Sequence, residues 1–91
     1  MGVGIILKGE KCGIVNERGR LIVPIRYDNI ELFSKTLFRA ELNGYWGLIE
    51  KTTGIAALGF LYSYISPLTE GRAEVRAPEG TFYVDAEGRR L

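Results

Sequence analysis

The side chains of this sequence whose types could do chemistry are its aromatic residues and arginines, and that chemistry is recognition. The only tryptophan lies in the stretch YWGLIEKTTG, residues 45–54. A tryptophan face stacks on sugars, bases or cations, and tyrosine and arginine are enriched among interface residues that contribute most to binding. The candidate binding residues are therefore Trp46, Tyr45, Tyr64, Arg72 and Arg76. The alternative for Trp46 is structural: it packs on the core, beside a glycine that admits a neighbouring strand.

The residues that nucleophilic or metal chemistry would need are not found in a suitable pattern. The single cysteine, Cys12, has no base, since the chain contains no histidine, and a thiol without a base is a poor nucleophile. Glu50 and Asp85 begin equivalent turns, where a carboxylate normally accepts backbone N–H bonds. Asp28 and Glu31 do not follow the spacing of a calcium loop. We therefore expect no catalytic residue, no metal site and no cofactor, and a protein that is not an enzyme.

Composition limits the partners and the location that we expect. The 91 residues suffice for one small domain. With a net charge of +1 and a pI of 7.8, no nucleic-acid partner is expected, because phosphate binding usually requires a basic face. No segment approaches the roughly 20 apolar residues that span a bilayer, so we expect no membrane association. The N-terminus lacks the pattern of a signal peptide, and together with the lone cysteine this predicts a cytoplasmic location.

Turn residues recur along the chain with a fixed period. Asn43-Gly44 is the pair that a type I′ hairpin turn favours. Asn16 and Asp85 each stand three residues before a glycine, which is the pattern of a type I turn followed by a glycine bulge. Glu50 through Gly54 repeats this pattern with one inserted residue. Because the starts of these turns lie 34 and 35 residues apart, the chain is predicted to contain three copies of one unit.

Each copy is predicted to be a three-stranded antiparallel meander, so the fold class is all-β with three pseudo-repeats. Short apolar runs separated by turn residues every 8–12 positions favour strands over helices. The units of this single domain, residues 1–91, cover approximately 1–27, 36–62 and 72–91, joined by connections of about ten residues. The predicted strands are Gly4–Leu7, Cys12–Val15, Leu21–Ile25, Phe38–Leu42, Trp46–Glu50, Ile55–Phe60, Ala73–Ala77 and Phe82–Asp85.

Seven residues are predicted to hold equivalent structural positions in the repeats. Glycines recur at matching places before and after the hairpin turns, and one tyrosine recurs in each of the first two copies, which favours a packed structural role for both rings. These positions are Gly13, Gly19, Tyr27, Gly47, Gly54, Tyr62 and Gly88.

The stretches KCGIVNERGRLIVPIRYDNIELFS and NGYWGLIEKTTG resemble the WG repeat, also called the KWG repeat. The resemblance rests on the Trp-Gly-Leu-Ile-acid motif at residues 46–50, and on Val23-Pro24, Tyr27-Asp28 and Phe33-Ser34. The Trp-Gly pair becomes Cys-Gly at residues 12–13 and Thr-Phe at residues 81–82. The resemblance implies a binding or scaffold module of a kind widespread in bacteria, with no shared catalytic residues.

These observations favour a noncatalytic repeat module that binds a protein or peptide partner. The alternative is a carbohydrate or cell-wall binding module that uses Trp46 and the tyrosines as stacking platforms. A small enzyme or an enzyme inhibitor, or one piece of a longer repeat array, are further possibilities. The third unit stops short at residues 89–91. We therefore expect an unpaired strand edge there, through which a homo-oligomer could form.

Overall fold

The structure, a computed structural model, describes residues 3–91 as antiparallel strands without a helix, which confirms the all-β class. Its strands are β1 (Val3–Lys8), β2 (Lys11–Asn16), β3 (Leu21–Tyr27), β4 (Asn29–Leu32), β5 (Leu37–Leu42), β6 (Tyr45–Glu50), β7 (Ala56–Tyr62), β8 (Tyr64–Ile65), β9 (Ala73–Ala77) and β10 (Gly80–Val84). They form three sheets, each ordered along the chain: β1-β2-β3, then β4-β5-β6-β7, then β8-β9-β10.

The three sheets are stacked, and the second sheet has a core on each of its faces. One buried cluster joins the first and second sheets and includes Ile14, Val23 and Ile49. The other joins the second and third sheets and includes Leu48 and Val84. Neighbours in β6 point to opposite faces because side chains alternate along a strand, so Leu48 and Ile49 serve different cores. The matched apolar pairs of the sequence therefore hold the layers together.

The repeated turns have the geometry that their residues predict. Gly19, Gly54 and Gly88 have φ values of 79°, 76° and 82°, the left-handed region that glycine enters without steric cost. The side-chain oxygen of Asn16 accepts two backbone N–H bonds at 2.9 Å, and that of Asp85 accepts two at 3.0 and 2.9 Å. The three predicted structural glycines of these turns are thus equivalent bends.

Two further glycines are required by close strand contacts. A Cβ on Gly13 would lie 2.7 Å from the carbonyl oxygen of Val23, and one on Gly47 would lie 2.7 Å from that of Leu58. Any larger residue would push β3 or β7 away. The register of β6 with β7 also shifts across Gly47, between Trp46 and Leu48, and again between Leu48 and Ile49, as expected where a glycine admits a neighbouring backbone.

The connections between units contain two short strands that the sequence did not predict. Asn29–Leu32 pairs with β5, and Tyr64–Ile65 pairs with β9, so each adds an edge strand to the sheet that follows it. The second sheet is consequently four-stranded. These segments are too short to be recognised by alternation alone, and their pairing partners come later in the chain. In the third unit the last strand is reduced to one bridge, between Val84 and Arg90.

Candidate interaction surface

The outer face of the third sheet carries most of the aromatic and basic residues that were predicted to bind. Tyr64, Arg76 and Thr81 are cross-strand neighbours on β8, β9 and β10. Glu74 and Tyr83 form the next cross-strand pair on the same face. The opposite face of the sheet is apolar and packs on the second sheet. We call the surface formed by Tyr64, Arg72, Glu74, Arg76, Thr81 and Tyr83 the C-terminal end face.

Two cation–π pairs organise this face. The guanidinium of Arg76 lies 5.2 Å from the centre of the Tyr64 ring, and that of Arg72 lies 5.4 Å from the centre of the Tyr83 ring. Arg76 also donates to a carboxylate oxygen of Glu74 at 2.7 Å, and this bond raises the pKa of Arg76 above its ordinary value. Arg72 has no ion pair with a described residue. Its charge is therefore available to a carboxylate from outside.

Trp46 borders the C-terminal end face but is half-buried. It packs against the core between the second and third sheets, and its ring meets that of Tyr64 edge-on at 5.9 Å. The guanidinium of Arg39 lies 4.4 Å from the ring centre of Trp46 and so occupies one of its faces. An incoming sugar would need an uncovered ring face. The packing of Trp46 thus fits a structural role better than that of an open platform.

Arg39 is the central residue of this arrangement, and the sequence reading missed it. It is 5% exposed, the only buried charged side chain among residues 3–91. It donates to the carbonyl oxygen of Ile65 at 2.6 Å and forms an ion pair with Glu31. Its Nε has no hydrogen-bond partner among the described residues. The signal was present, because Arg39 lies two residues after Leu37 in an apolar strand and so shares its inward face.

Tyr45 stands apart from the other predicted binding residues. It lies at the start of β6, pairs with Leu42 across the hairpin and is 53% exposed. No ring contact links it to Tyr64 or to the arginines of the C-terminal end face. The structure therefore brings together Trp46, Tyr64, Arg72 and Arg76, with Arg72 and Arg76 on opposite sides of Glu74, and leaves Tyr45 on another part of the surface.

The recurring tyrosines lie at the joints between sheets. Tyr27 is buried in the first core and its ring centre lies 5.5 Å from that of Phe60. Tyr62 packs on the second core with its ring 5.7 Å from that of Phe82. Each ring lies at the end of the last strand of one sheet and reaches a phenylalanine of the next layer. Both rings therefore pack between one sheet and the next.

Two open clefts lie along the turn edge of the stack, away from the C-terminal end face. The larger has a volume of about 560 Å³ and the smaller about 380 Å³. The larger lies between the turns of the first and second sheets and is lined by Val3, Asn16, Glu17, Arg18, Ile22, Lys35, Thr36, Lys51 and Thr52. None of the predicted binding residues lines either cleft.

The described residues offer surfaces for contact and few groups arranged for metal chemistry. Within residues 3–91, no group of three or more His, Cys, Asp or Glu side chains could hold a metal ion. Cys12 is a buried free thiol in the first core. Residues 3–91 also contain no helix long and apolar enough to cross a bilayer.

Comparison with known families identifies one segment. Residues 13–46 match the family model of the WG containing repeat. The matched segment begins at Gly13 in β2 and ends at Trp46 in β6, directly before the equivalent Gly47, so it spans one period of the repeat. No curated protein and no solved structure matches the chain.

Proposed function

Because the chain carries a WG containing repeat, we propose that it is a noncatalytic repeat module that binds a protein or peptide partner through the C-terminal end face. The observation that carries the proposal is the composition of that face. Tyr64 and Arg76 are cross-strand neighbours, Tyr83 stands in the next row, and Arg72, just before β9, lies over the Tyr83 ring. The other side of this sheet is packed. Such residues supply much of the binding energy at protein interfaces because they offer large contact areas and polar reach.

The charges of the face indicate what the partner offers. Arg76 is already paired with Glu74, whereas Arg72 is held over the Tyr83 ring without an ion pair among the described residues. A peptide carboxylate that reaches Arg72 would make a charge-assisted hydrogen bond, and an adjacent apolar side chain would cover the Tyr83 ring. The proposed ligand is therefore a segment with an acidic residue beside an apolar one. A cytoplasmic location is part of the proposal and fits the free thiol of Cys12.

Selection from a random peptide library on the wild-type protein tests the proposal. We expect enriched peptides to carry the acidic-apolar pattern, and Arg72→Glu to weaken their binding at least tenfold, because it replaces attraction with repulsion. Arg18→Glu is the matched control, since Arg18 is an exposed arginine in the turn of the first sheet. Fluorescence anisotropy supplies the dissociation constants. Peptides that lose as much affinity with Arg18→Glu would refute binding at this face.

The carbohydrate alternative has its own readout. A glycan array would show sugar binding that Tyr45→Ala or Trp46→Ala abolishes while the circular dichroism spectrum stays unchanged. That result would replace the peptide proposal. Carbohydrate binding has less support than peptide binding because the guanidinium of Arg39 covers one face of Trp46, and no ring contact joins Tyr45 to another aromatic side chain among residues 3–91.

A further inference from the structure

The outer face of the first sheet is apolar, and no layer formed by residues 3–91 covers it. Cross-strand pairing places Ile6 opposite Gly13, and Val15 opposite Leu21, while Ile25 lies directly over Gly13. We call the surface formed by Ile6, Val15, Leu21 and Ile25 the N-terminal end face. None of the four side chains contributes to either buried core. Three are half-buried by one another and by the sheet, and Leu21 is exposed.

The repeat-equivalent residues of the other two sheets show what this face packs against there. One period later, Ile6 corresponds to Ala40 and Val15 corresponds to Ile49, and both of these are buried under the first sheet. Two periods later they correspond to Val75 and Val84, which are buried under the second sheet. In both joints, therefore, this is the face that receives the preceding layer.

A turn glycine gives an independent observation of the same kind. A Cβ on Gly54 would lie 3.0 Å from a methyl carbon of Val23 in the preceding sheet, and one on Gly88 would lie 3.3 Å from a methyl carbon of Leu48. At the equivalent Gly19 a Cβ would meet nothing within 4 Å. The first turn therefore has the backbone geometry of the turns at the two joints, but no preceding sheet among residues 3–91 packs against it.

In the described part of the chain, the edge of the first sheet lacks an added strand that the second and third sheets both have. β4 extends β5 in the second sheet, and β8 extends β9 in the third. β1 has no strand on its outer side among residues 3–91. In each joint, the added strand belongs to chain that has just left the preceding sheet. One occupant would therefore supply both the missing layer and the missing strand.

We propose that the N-terminal end face is a docking surface for a separate β-sheet unit of the WG type. The internal joints define the chemistry of the occupant: they present Ile14 and Tyr27, or Leu48 and Tyr62, to the face that receives them. The occupant offers the same aliphatic and tyrosine surface, and its trailing segment pairs with the edge of β1 as an added strand.

A second copy of this chain is a poorer occupant. Its closing surface is the C-terminal end face, where Leu48 is replaced by Tyr83, Leu37 by Arg72 and Arg39 by Glu74. Burial of these polar groups against aliphatic side chains would leave charges without partners. Two N-terminal end faces packed on each other would join two receiving surfaces of three strands each. At about 3.3 Å per residue and about 4.8 Å between strands, such a face covers roughly 300 Å², well below the roughly 800 Å² per partner of a standard stable interface.

A fusion protein tests the proposal with a defined occupant. A second copy of residues 29–69 is placed directly before Met1, which preserves the repeat spacing and supplies the second sheet together with the segment equivalent to β8. Val15→Lys is then introduced into the original unit of the fusion and into the unfused chain. We expect the substitution to raise the unfolding equilibrium constant at least tenfold more in the fusion, a difference of about 1.4 kcal/mol.

The control and a second measurement keep the test decisive. Tyr83→Lys, at the opposite end of the stack, should change the stability of both proteins equally. Hydrogen exchange of the fusion without any substitution should show that the β1 amides not bonded to β2 become protected. This measurement does not depend on whether a substituted protein folds. Equal effects of Val15→Lys in the two proteins, or unchanged exchange in β1, would overturn the proposal. A wild-type dimer that Val15→Lys dissociates would also overturn it, in favour of a second copy.

Discussion

The two ends of the stack are formed by copies of the same repeat, but one end surface is apolar and the other is polar. At the N-terminal end face, Val15 and Ile6 lie on the side that receives a layer in the other sheets. At the C-terminal end face, the positions that close onto the next layer carry Tyr83 and Arg72 in place of Leu48 and Leu37. Repeat proteins need a polar outer surface at a terminal unit to remain soluble. Within residues 3–91, one end of the stack has such a polar surface, and the other end has an apolar one.

The difference shows how two sheets built from one repeat can present different surfaces. The polar end cannot accept another sheet without burying Glu74 and the arginines, which is why we propose that a partner of a different kind binds at this end. The apolar end keeps aliphatic side chains and small residues, as a joint between sheets requires. The position in the repeat therefore fixes which side of a sheet is apolar, and under our proposals the side chains at a few closing positions determine which partner binds.

The largest expected effect concerns the turn glycines. Gly54→Ala and Gly19→Ala both place a side chain at a φ near +76° to +79°, which costs about 1–2 kcal/mol. Gly54→Ala also forces a methyl group against Val23 and the carbonyl oxygen of Ile22, 3.0 and 3.1 Å away, which adds about 1–3 kcal/mol. Urea unfolding should show a loss of about 3 kcal/mol for Gly54→Ala, and about 1 for Gly19→Ala.

This pair directly tests whether the first turn lacks a neighbour. Backbone strain is common to both substitutions, so the difference reports the contact with the preceding sheet. Equal losses would mean that the surroundings of Gly19 are as crowded in solution as those of Gly54. That result would contradict an uncovered outer face on the first sheet.

An intermediate effect is expected for two valines at equivalent positions. Val84 is fully buried beneath the second sheet, and Val15 is half-buried on the N-terminal end face. Val84→Ala should lower the free energy of unfolding by about 2 kcal/mol, because it removes buried methyl groups and leaves a cavity. Val15→Ala should cost less than about 1 kcal/mol, because its surroundings are partly solvent. Denaturation at two protein concentrations should give the same values, and a concentration-dependent loss at Val15 would contradict the uncovered face.

The turns of this fold were predictable from the sequence because they are local. Asn16 and Asp85 bond to backbone groups two and four residues ahead, and glycine occupies the positive-φ position three residues after each of them. The period of these turns was enough to predict an all-β array of three units. Short strands such as β8 were not predicted, because two residues become a strand only when β9 lies beside them.

The candidate site was predictable in its residue types but not in its arrangement. Tyr64 and Arg76 were selected for their chemistry, yet their pairing depends on the register of β8 with β9. The role of Arg39 depends on the stacking of two sheets, since its bond to the carbonyl oxygen of Ile65 and its contact with the Tyr64 ring join the second sheet to the third. Long-range stacking of this kind has no signature in a single strand.

The smallest expected effect separates the two joints by pH. The first joint is tied by Asp28, which pairs with Lys11 of the first sheet and accepts the backbone N–H of Asn43 in the second at 2.8 Å. These bonds, chiefly the one from Lys11, hold the pKa of Asp28 below its ordinary value of 3.8. Its stabilisation is therefore present above pH 3.8 and is lost as the pH falls through the lowered pKa of the folded state.

Acid should consequently loosen the first sheet before the third. The bond from Arg39 to the carbonyl oxygen of Ile65 involves no titrating acceptor, so the second joint keeps this tie at low pH. Hydrogen exchange measured between pH 5 and pH 3, after correction for the intrinsic pH dependence of exchange, should show protection lost in β2 and β3 first. Asp28→Asn should flatten the dependence of stability on pH in this window, because the amide cannot be protonated there. An unchanged slope in Asp28→Asn would mean that the tie contributes nothing, and that the two ends differ only in their outer faces.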